Sequence, residues 1–215
     1  HDGLFTQFDM QAVFGMHNWP GMSVGQFAVS PGPVMASSNE FKITIHGKGG
    51  HAALPHTTID PVPIACQMVQ AFQTIISRNK KPVDAGVISV TMIHTGEATN
   101  VVPESCELQG TVRTFTLEVL DLIEARMREV AEHTCAAHQA TCEFEFVRNY
   151  PPTVNSAPEA EFARRVMQGI VGEANVLAQE PTMGAEDFAY MLQVRPGAYC
   201  FIANGEGAHR MHGHG

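Results

Sequence analysis

The sequence has few of the features that mark membrane proteins and nucleic-acid-binding proteins. Only 16% of its 215 residues are charged, and 22 acidic residues outnumber 13 lysines and arginines, for a net charge of -9. The absence of a long basic run argues against nucleic acid and anionic membranes as partners. No run of 18 apolar residues is present, so no transmembrane helix is predicted. Because no basic-then-apolar leader opens the chain, no signal peptide is visible and a cytoplasmic location is expected.

Several common catalytic motifs are also missing. The five cysteines show no CxxC spacing, which predicts reduced and mostly buried thiols, with Cys106 and Cys142 on the core-facing sides of strands. There is no GxSxG elbow, P-loop or HExxH, which removes the common serine hydrolase, nucleotide-binding and zincin interpretations. The hydrophobic share of 44% still predicts a globular protein with a substantial core.

Hydrophobic periodicity divides the chain into three segments, 1–39, 40–149 and 150–215. In the middle segment, period-two alternation and helical spacing predict four strands and two helices in the order β-α-β-β-α-β. The helices are predicted to begin after Asp60 and Thr116. This order is typical of an antiparallel sheet covered on one face by two helices.

The two outer segments have the pattern of a second, α/β body. Residues 12–16 read as a short buried strand, and residues 198–203 as a fully buried strand of the kind found in parallel sheets. Helices are predicted at about 158–172, with Phe162, Val166 and Ile170 on one side, and within 185–192. The predicted fold class is therefore α/β, with a β-α-β-β-α-β unit inserted in an α/β body.

Histidines are the first candidate functional residues. His17 is placed after the predicted strand 12–16, where α/β bodies hold ligands, and it could bind a metal or be an ordinary loop residue. One histidine is not a metal site, because zinc needs three or four protein ligands. His51 and His56 flank a small-residue turn, GHAALPH, where an imidazole N–H could stabilise an oxyanion; a surface loop is the alternative.

Amide, guanidinium and carboxylate groups form a second set of candidates. Asn100 and Arg113 could hold a substrate carboxylate at a sheet rim, or they could be a turn cap and a solvated charge. Glu186 and Asp187 could act in a site or could favour a helix dipole. A cluster of three histidines near the end suggests adventitious metal uptake rather than a designed site: His209, His212 and His214.

Four stretches, in this order, resemble the di-metal amidohydrolases: GMHNWPGMSVGQF, FKITIHGKGGHAALPH, GEATNVVPESCELQGTVRTF and MGAEDFAY. That family includes aminoacylases, hippurate hydrolases, carboxypeptidases acting on N-acyl amino acids and auxin-conjugate hydrolases, and the hippurate hydrolase-like branch is the most similar. The resemblance implies a catalytic α/β domain that binds two divalent ions, zinc, manganese or nickel. It also implies an inserted ferredoxin-like lid that commonly forms a homodimer. The implied reaction is hydrolysis of the amide bond of an N-acyl amino acid by a metal-bridging water, with a glutamate as general base.

The resemblance also implies roles for particular residues. His17 matches a metal ligand, and His51 matches a lid histidine that stabilises the tetrahedral intermediate, usually in the partner subunit's site. Asn100 and Arg113 match positions near the substrate's carboxylate and carbonyl, and Glu186 lies in a segment that approaches the active site. His56 is expected to be structural.

The sequence departs from the family pattern at the metal site. A Cys-Gly-His-Asp-like motif, a Glu-Glu pair and a histidine in a Leu-His-Asn-Pro-like context are all absent from it. About one of the five usual metal ligands remains, which leaves open whether this chain binds metal at all. We therefore expect the chain to be inactive alone and to hold the lid and part of the catalytic domain.

Overall fold

The computed structural model describes residues 3–205, so the cluster of His209, His212 and His214 lies outside the described residues. The described residues form two compact units. The flanking unit contains the residues up to Ala36 together with those from Tyr150 onward, and the central unit is Ser37–Asn149. In the described part of the chain, no helix has both the length and the apolar character needed to cross a membrane.

The described residues contain five α-helices and twelve strands. The α-helices are α1 Leu4–Gln7, α2 Pro61–Thr74, α3 Leu117–Ala137, α4 Ala157–Val171 and α5 Ala189–Leu192. The strands are β1 Val13–Trp19, β2 Phe27–Ala28, β3 Gly32–Met35, β4 Ser38–His46, β5 Gly50–His51, β6 Gly86–His94, β7 Val101–Val102, β8 Ser105–Thr114, β9 Thr141–Tyr150, β10 Thr153–Asn155, β11 Val176–Leu177 and β12 Gly197–Ala203. A π-helical turn, Ile75–Asn79, follows α2.

The central unit is built on a four-stranded sheet of order β6-β8-β4-β9. The antiparallel pair β4–β8 runs from Asn39↔Val112 to His46↔Ser105, and β6 pairs antiparallel with β8 on the other side. The main elements, β4, α2, β6, β8, α3 and β9, follow the order that the periodicity predicts. Two small strands, β5 and β7, form a separate antiparallel ribbon.

Helix α2 begins where the sequence predicts. The carboxylate of Asp60 accepts a hydrogen bond from the backbone N–H of Val62 at 2.9 Å, and Pro61 occupies the first turn, where its missing N–H costs nothing. Helix α3 is capped in the same way, since the Thr116 hydroxyl accepts from the N–H of Val119 at 3.3 Å. Both helices bury an apolar stripe against the sheet.

The core of the central unit lies between that sheet and the two helices. Alternate residues of β4, including Ile43 and Ile45, are fully buried beneath Met68, Phe72 and other helical side chains. Gly110 in β8 faces Phe41 so closely that a Cβ there would lie 2.6 Å from the Phe41 ring and 2.0 Å from the Ser89 carbonyl oxygen. Glycine is therefore required at this point of the sheet.

The flanking unit contains a sheet of order β1-β12-β2-β11. Strands β1 and β12 pair in parallel from Val13↔Gly197 to Trp19↔Ala203, which confirms the parallel-type strand predicted at 198–203. One sheet face packs on α4, and the opposite face carries Tyr199 and Phe201. A second ribbon pairs β3 with β10, with Met35 opposite Thr153.

Three sequence-based expectations need correction. His17 lies inside β1 rather than after it, because the parallel pairing continues to Trp19. The helix expected within 185–192 is only Ala189–Leu192, because Glu186 and Asp187 form turn hydrogen bonds before it. The strand predicted as buried at 12–16 exposes Phe14 and Met16, since β1 is the end strand of the described sheet. Helix α4 packs through Ala160, Ala163 and Met167, and the side that carries Phe162, Val166 and Ile170 is exposed; the periodicity did not predict which side is buried.

Candidate functional site

His17 is held in one tautomer by its own strand. Its Nδ1 lies 2.6 Å from the carbonyl oxygen of Asn18. A carbonyl oxygen can only accept, so Nδ1 carries a proton and, in the neutral ring, Nε2 has the lone pair. An imidazole fixed in this way by a backbone carbonyl is the form that binds a metal ion through Nε2. The ring is half-buried and lies edge-on to Trp19, with 6.1 Å between the ring centroids.

A carboxylate pair lies in the same unit as His17. The hydroxyl of Tyr199 donates to Oε2 of Glu186 at 2.5 Å, and the N–H of Asp187 donates to Oε1 of Glu186 at 3.1 Å. Tyr199 is paired with Gly15 in β1, two residues before His17, so Tyr199 and His17 extend from the same face of the sheet. A Cβ on Gly15 would lie 2.8 Å from the Tyr199 ring, so glycine there makes room for the tyrosine.

The hydrogen bond from the Tyr199 hydroxyl favours ionisation of Glu186 over ionisation of Asp187. Burial raises the pKa of Glu186, but donation by the Tyr199 hydroxyl and by Asp187 outweighs burial and leaves that pKa below its usual value. The pKa of Asp187 is raised, because its carboxyl group shares a proton with Glu186. Burial and the Glu186 charge together raise the pKa of Tyr199, so the hydroxyl stays a donor. Sequence reasoning missed Tyr199; the alternation in AYCFIA, which places Tyr199 and Phe201 on one face, was the available signal.

Replacing Tyr199 by Phe is expected to raise the pKa of Glu186, because the carboxylate loses a donor while it stays partly buried. The depressed pKa stabilises the fold above the ordinary carboxyl range, and this contribution is lost as the pH falls through the folded-state pKa. The Tyr199→Phe variant should therefore lose less stability on acidification than the original chain. Carbon-13 NMR titration of the glutamate carboxyls measures the shift, and Tyr150→Phe in the same unit is the control that should leave the Glu186 titration unchanged.

His51 is held in the opposite tautomer. It ends the strand β5, where it pairs with Val101 of β7, and its Nδ1 accepts a hydrogen bond from the backbone N–H of Ala53 at 3.1 Å. Since Nδ1 is an acceptor, the proton of the neutral ring is on Nε2, which is then a donor. The side chain is exposed. The ring can thus offer an N–H to a ligand.

Gly47 and Gly50, which precede His51, allow their segment to pack closely against Thr58 and Ile59. A Cβ on Gly47 would lie 2.2 Å from the carbonyl oxygen of Ile59, and one on Gly50 would lie 2.7 Å from the Thr58 methyl carbon. Two backbone hydrogen bonds between Lys48 and Ile59, at 2.9 and 3.0 Å, hold the two segments at this short distance. These contacts hold the GHAALPH turn to the segment that leads into α2. His56 is exposed within the 3₁₀ turn Pro55–Thr57.

Asn100 is next to His51 in the central unit. Its carbonyl oxygen accepts from the N–H of Ala52 at 3.0 Å, which closes the end of the β5–β7 ribbon. The ribbon adjoins the end of the sheet where Ser105 pairs with His46, since the N–H of Gly47 donates to the Glu104 carbonyl at 2.9 Å. The structure therefore brings His51 and Asn100 together.

Arg113 lies toward the other end of the same sheet. It is eight residues beyond Ser105 along β8, or roughly 26 Å at about 3.3 Å per residue. One of its guanidinium nitrogens donates to the carbonyl oxygens of Val112 at 3.2 Å and Asn39 at 3.5 Å, and burial lowers its pKa. Arg113 is thus half-buried, and the alternative of a fully solvated charge is wrong. Within one central unit, Arg113 lies far from His51 and Asn100.

A metal centre cannot be completed from the side chains that the structure describes. Among residues 3–205, no group of three or more histidine, cysteine, aspartate and glutamate side chains could hold a metal ion. Zinc and similar ions need three or four protein ligands. His17 has the tautomer of one such ligand, and the remaining donors would have to come from elsewhere.

The mixed α/β fold matches that of a family of hydrolases. The chain belongs to peptidase family M20/M25/M40, which matches residues 1–215.

Individual relatives agree with this assignment. The chain is 39% identical over 191 residues to thermostable carboxypeptidase 1 of Saccharolobus solfataricus, a match that covers 88% of this chain and 48% of that protein. It is 32% identical over 204 residues to the hippurate hydrolase of Campylobacter jejuni, with 94% and 53% covered. A solved Bacillus subtilis structure, described as a dinuclear metal binding peptidase of the M20 family, superposes with a TM-score of 0.79 at 30% identity, over 94% of this chain and 50% of that one. The chain spans about half the length of the relatives it matches.

Proposed function

We propose that these residues belong to a metal-dependent amidohydrolase that cleaves the amide bond of an N-acyl amino acid of the hippurate type. The observation that carries the proposal is the pair of opposite histidine tautomers within an M20 chain: His17 keeps a lone pair on Nε2, and His51 keeps a proton there. One is the form of a metal ligand and the other is the form of an oxyanion donor. The similarity to a hippurate hydrolase supports the substrate class.

Each residue then has a defined part in the reaction. His17 would supply one ligand to a two-metal centre of zinc, manganese or nickel, which when bound polarises the amide carbonyl and makes a water nucleophilic at neutral pH. His51 would donate its Nε2–H to the oxygen on which negative charge develops. The negatively charged Glu186, held by Tyr199, would orient a polar group of the substrate.

Asn100 and Arg113 are proposed to bind the substrate's carbonyl and carboxylate. The remaining guanidinium donors of Arg113 suit a carboxylate, which they can bind bidentately. Because Arg113 and the His51–Asn100 pair lie at opposite ends of one sheet, a single small substrate cannot touch both within one central unit. We therefore propose that the central unit is a ferredoxin-like lid and that two lids in a homodimer contribute His51 to each other's sites.

Metal analysis and a hippurate cleavage assay test this function. Both are applied to the 215-residue chain and to a full-length parent, meaning a polypeptide that contains these residues and has the length of the relatives. We expect turnover by the parent with at least one of zinc, manganese and nickel, and no turnover or stoichiometric metal in the chain alone. A parent that stays inactive with all three metals would refute the proposed function.

The alternative function is that of a dimerisation module. Strand β6 forms an edge of the central sheet, is nine residues long and exposes Val87, Met92 and Ile93. A strand of this kind can pair with its twin across a two-fold axis. The isolated chain would then form dimers without catalysing anything.

Ile93→Lys is expected to convert such a dimer to monomer, because a charge would enter the pairing edge. Light scattering after size-exclusion chromatography, at one fixed protein concentration, gives the mass. Val83→Lys, in an exposed loop of the same unit, is the matched control and should remain dimeric. An Ile93→Lys chain that stays dimeric would exclude the β6 edge as the interface.

A further inference from the structure

A group of polar side chains is buried beside Arg113 in the central unit. Ser37, Asn39 and Thr114 are each 0% exposed, although residues of these types mostly lie at protein surfaces. Asn39 is on the helix-covered face of β4, where Phe41 follows it, whereas Arg113 alternates with the buried residues of β8 and extends from the other face. Buried polar groups have to be hydrogen-bonded, so their hydrogen bonds show what they hold in place.

The hydrogen bonds between these side chains have a fixed direction. The Thr114 hydroxyl donates to the carbonyl oxygen of Thr116 at 3.0 Å, which uses its one proton. The Ser37 hydroxyl, 3.0 Å from Thr114 Oγ1, must therefore be the donor of that pair. Ser37 Oγ also accepts from the backbone N–H of Thr114 at 3.1 Å and from Nδ2 of Asn39 at 2.9 Å. Its capacity of one donated and two accepted bonds is thus fully used. These three side chains, Ser37, Asn39 and Thr114, are called here the Ser37 network.

The Ser37 network fixes the backbone on both sides of Arg113. Before it, the carbonyl oxygen of Val112 accepts from Nδ2 of Asn39 at 3.1 Å. After it, the N–H of Thr114 is bound by Ser37 Oγ, and the Thr114 carbonyl accepts from the Ser37 N–H at 2.7 Å. The guanidinium of Arg113 donates to the carbonyl oxygens of Val112 and Asn39. The network therefore sets the position of both acceptors that orient the guanidinium.

One atom of the network is arranged at a cost in stability. In the part of the chain that the structure describes, the buried Oδ1 of Asn39 has no hydrogen-bond partner. A buried acceptor without a partner is unfavourable, and an apolar side chain of similar size would avoid that cost. The fold thus uses the two N–H groups of this amide, which reach Ser37 and Val112, and leaves its oxygen unsatisfied. This arrangement favours a precise geometry beside Arg113 over maximal stability.

We propose that Asn39 and Ser37 are positioning residues that hold the Arg113 guanidinium for the substrate's carboxylate, and so set the preference for N-acyl amino acids with a free carboxylate. The inference rests on the proposed function, in which Arg113 binds that carboxylate. Asn39 and Ser37 are buried on the covered side of the sheet and act only through Arg113. A guanidinium that is already oriented loses little freedom when it binds a carboxylate bidentately. Without the network the charge remains, but its orientation is lost.

Asn39→Leu in the full-length parent tests the proposal, because it removes both amide donors while it keeps the volume. We expect the KM for hippurate to rise about tenfold and kcat to stay within about threefold, since the lost interaction acts on bound substrate and transition state alike. Hippuramide carries a neutral amide in place of the carboxylate, so its inhibition constant against hippurate cleavage should not change. Ser37→Ala, a second variant of the network, should have the same effects. Thr44→Val, an isosteric loss of a hydroxyl elsewhere on β4, is the matched control and should leave all three constants unchanged.

Arg113→Ala separates this inference from the proposed function. If Arg113 binds the carboxylate, its loss should raise the KM for hippurate at least about 100-fold, the cost of two hydrogen bonds between charged groups. Adding Asn39→Leu to Arg113→Ala should then have no further effect, because the network acts through the arginine. A normal KM for Arg113→Ala would refute the role of Arg113, and the inference with it. A raised KM for Arg113→Ala beside a normal KM for both network variants would overturn the inference alone. So would a full tenfold effect of Asn39→Leu in the Arg113→Ala background, and circular dichroism melting of the variants shows that they are folded.

Discussion

Replacing His51 by Ala in the full-length parent should lower kcat about 100–1000-fold, the usual cost of removing one oxyanion donor. The physical reason is the hydrogen bond that the backbone N–H of Ala53 donates to Nδ1 of His51. This hydrogen bond keeps the proton of the neutral ring on Nε2, so the ring is a donor without any rearrangement. Such a donor acts on charge that develops in the transition state, so KM should change much less than kcat. Steady-state kinetics with hippurate gives both constants.

The control for this prediction is His56→Ala, five residues away in the same turn. His56 is exposed, so its loss should leave kcat within about threefold of the original value, the spread expected of a residue outside the site. A His51→Ala parent that is equally active would refute the proposed role. Unchanged melting temperatures for both variants would show that neither result reflects unfolding.

Replacing Phe72 by Ala should destabilise the central unit by about 3–5 kcal/mol, the usual cost of removing a buried phenylalanine. Phe72 is 0% exposed and lies on the side of α2 that packs against the sheet. Its ring is edge-on to the Phe41 ring, with 6.2 Å between the ring centroids. The change removes buried apolar surface and leaves a cavity that rigid neighbours, such as Ile43, cannot fill. The expected loss is a large part of the roughly 5–15 kcal/mol that holds a domain folded.

Urea denaturation followed by circular dichroism at 222 nm measures the loss, because α2 and α3 dominate the helical signal of the central unit. Val83→Ala is the matched control: Val83 is 90% exposed, and the change should cost no more than about 0.5 kcal/mol. A loss below about 1 kcal/mol for Phe72→Ala would mean that the core relaxes around the cavity.

The sequence determined much of the fold because its local signals are strong. Asp60 followed by Pro61, and Thr116 followed by Glu118, mark helix starts that depend only on neighbouring residues. The alternation in β4 and β8 likewise follows from one buried sheet face. Periodicity could not show which side of α4 packs on the sheet, because both sides are apolar. The smaller side chains, Ala160 and Ala163, allow the closer approach.

The candidate site was less accessible to sequence reasoning. The pattern of motifs selected His17 and His51, but their tautomers depend on the carbonyl of Asn18 and the N–H of Ala53, which only coordinates reveal. The contact between Tyr199 and Glu186 joins residues 13 positions apart through a turn that no periodicity encodes. The roles of Asn100 and Arg113 remain predictions. Arg113 is far from Asn100 because β8 runs from Ser105, beside the β5–β7 ribbon, toward the other end of the sheet.

The discontinuity of the flanking unit has a consequence for the order of folding. Its ribbon pairs Met35 with Thr153, so its assembly must close a loop that contains the whole central unit. Closing so long a flexible loop carries an entropic cost, and contacts between distant residues slow folding. The central unit is continuous in sequence and can collapse without the outer segments. We expect it to fold first and to shorten the loop that the flanking unit must then close, so a slow second phase should belong to the burial of Trp19 beside Phe201.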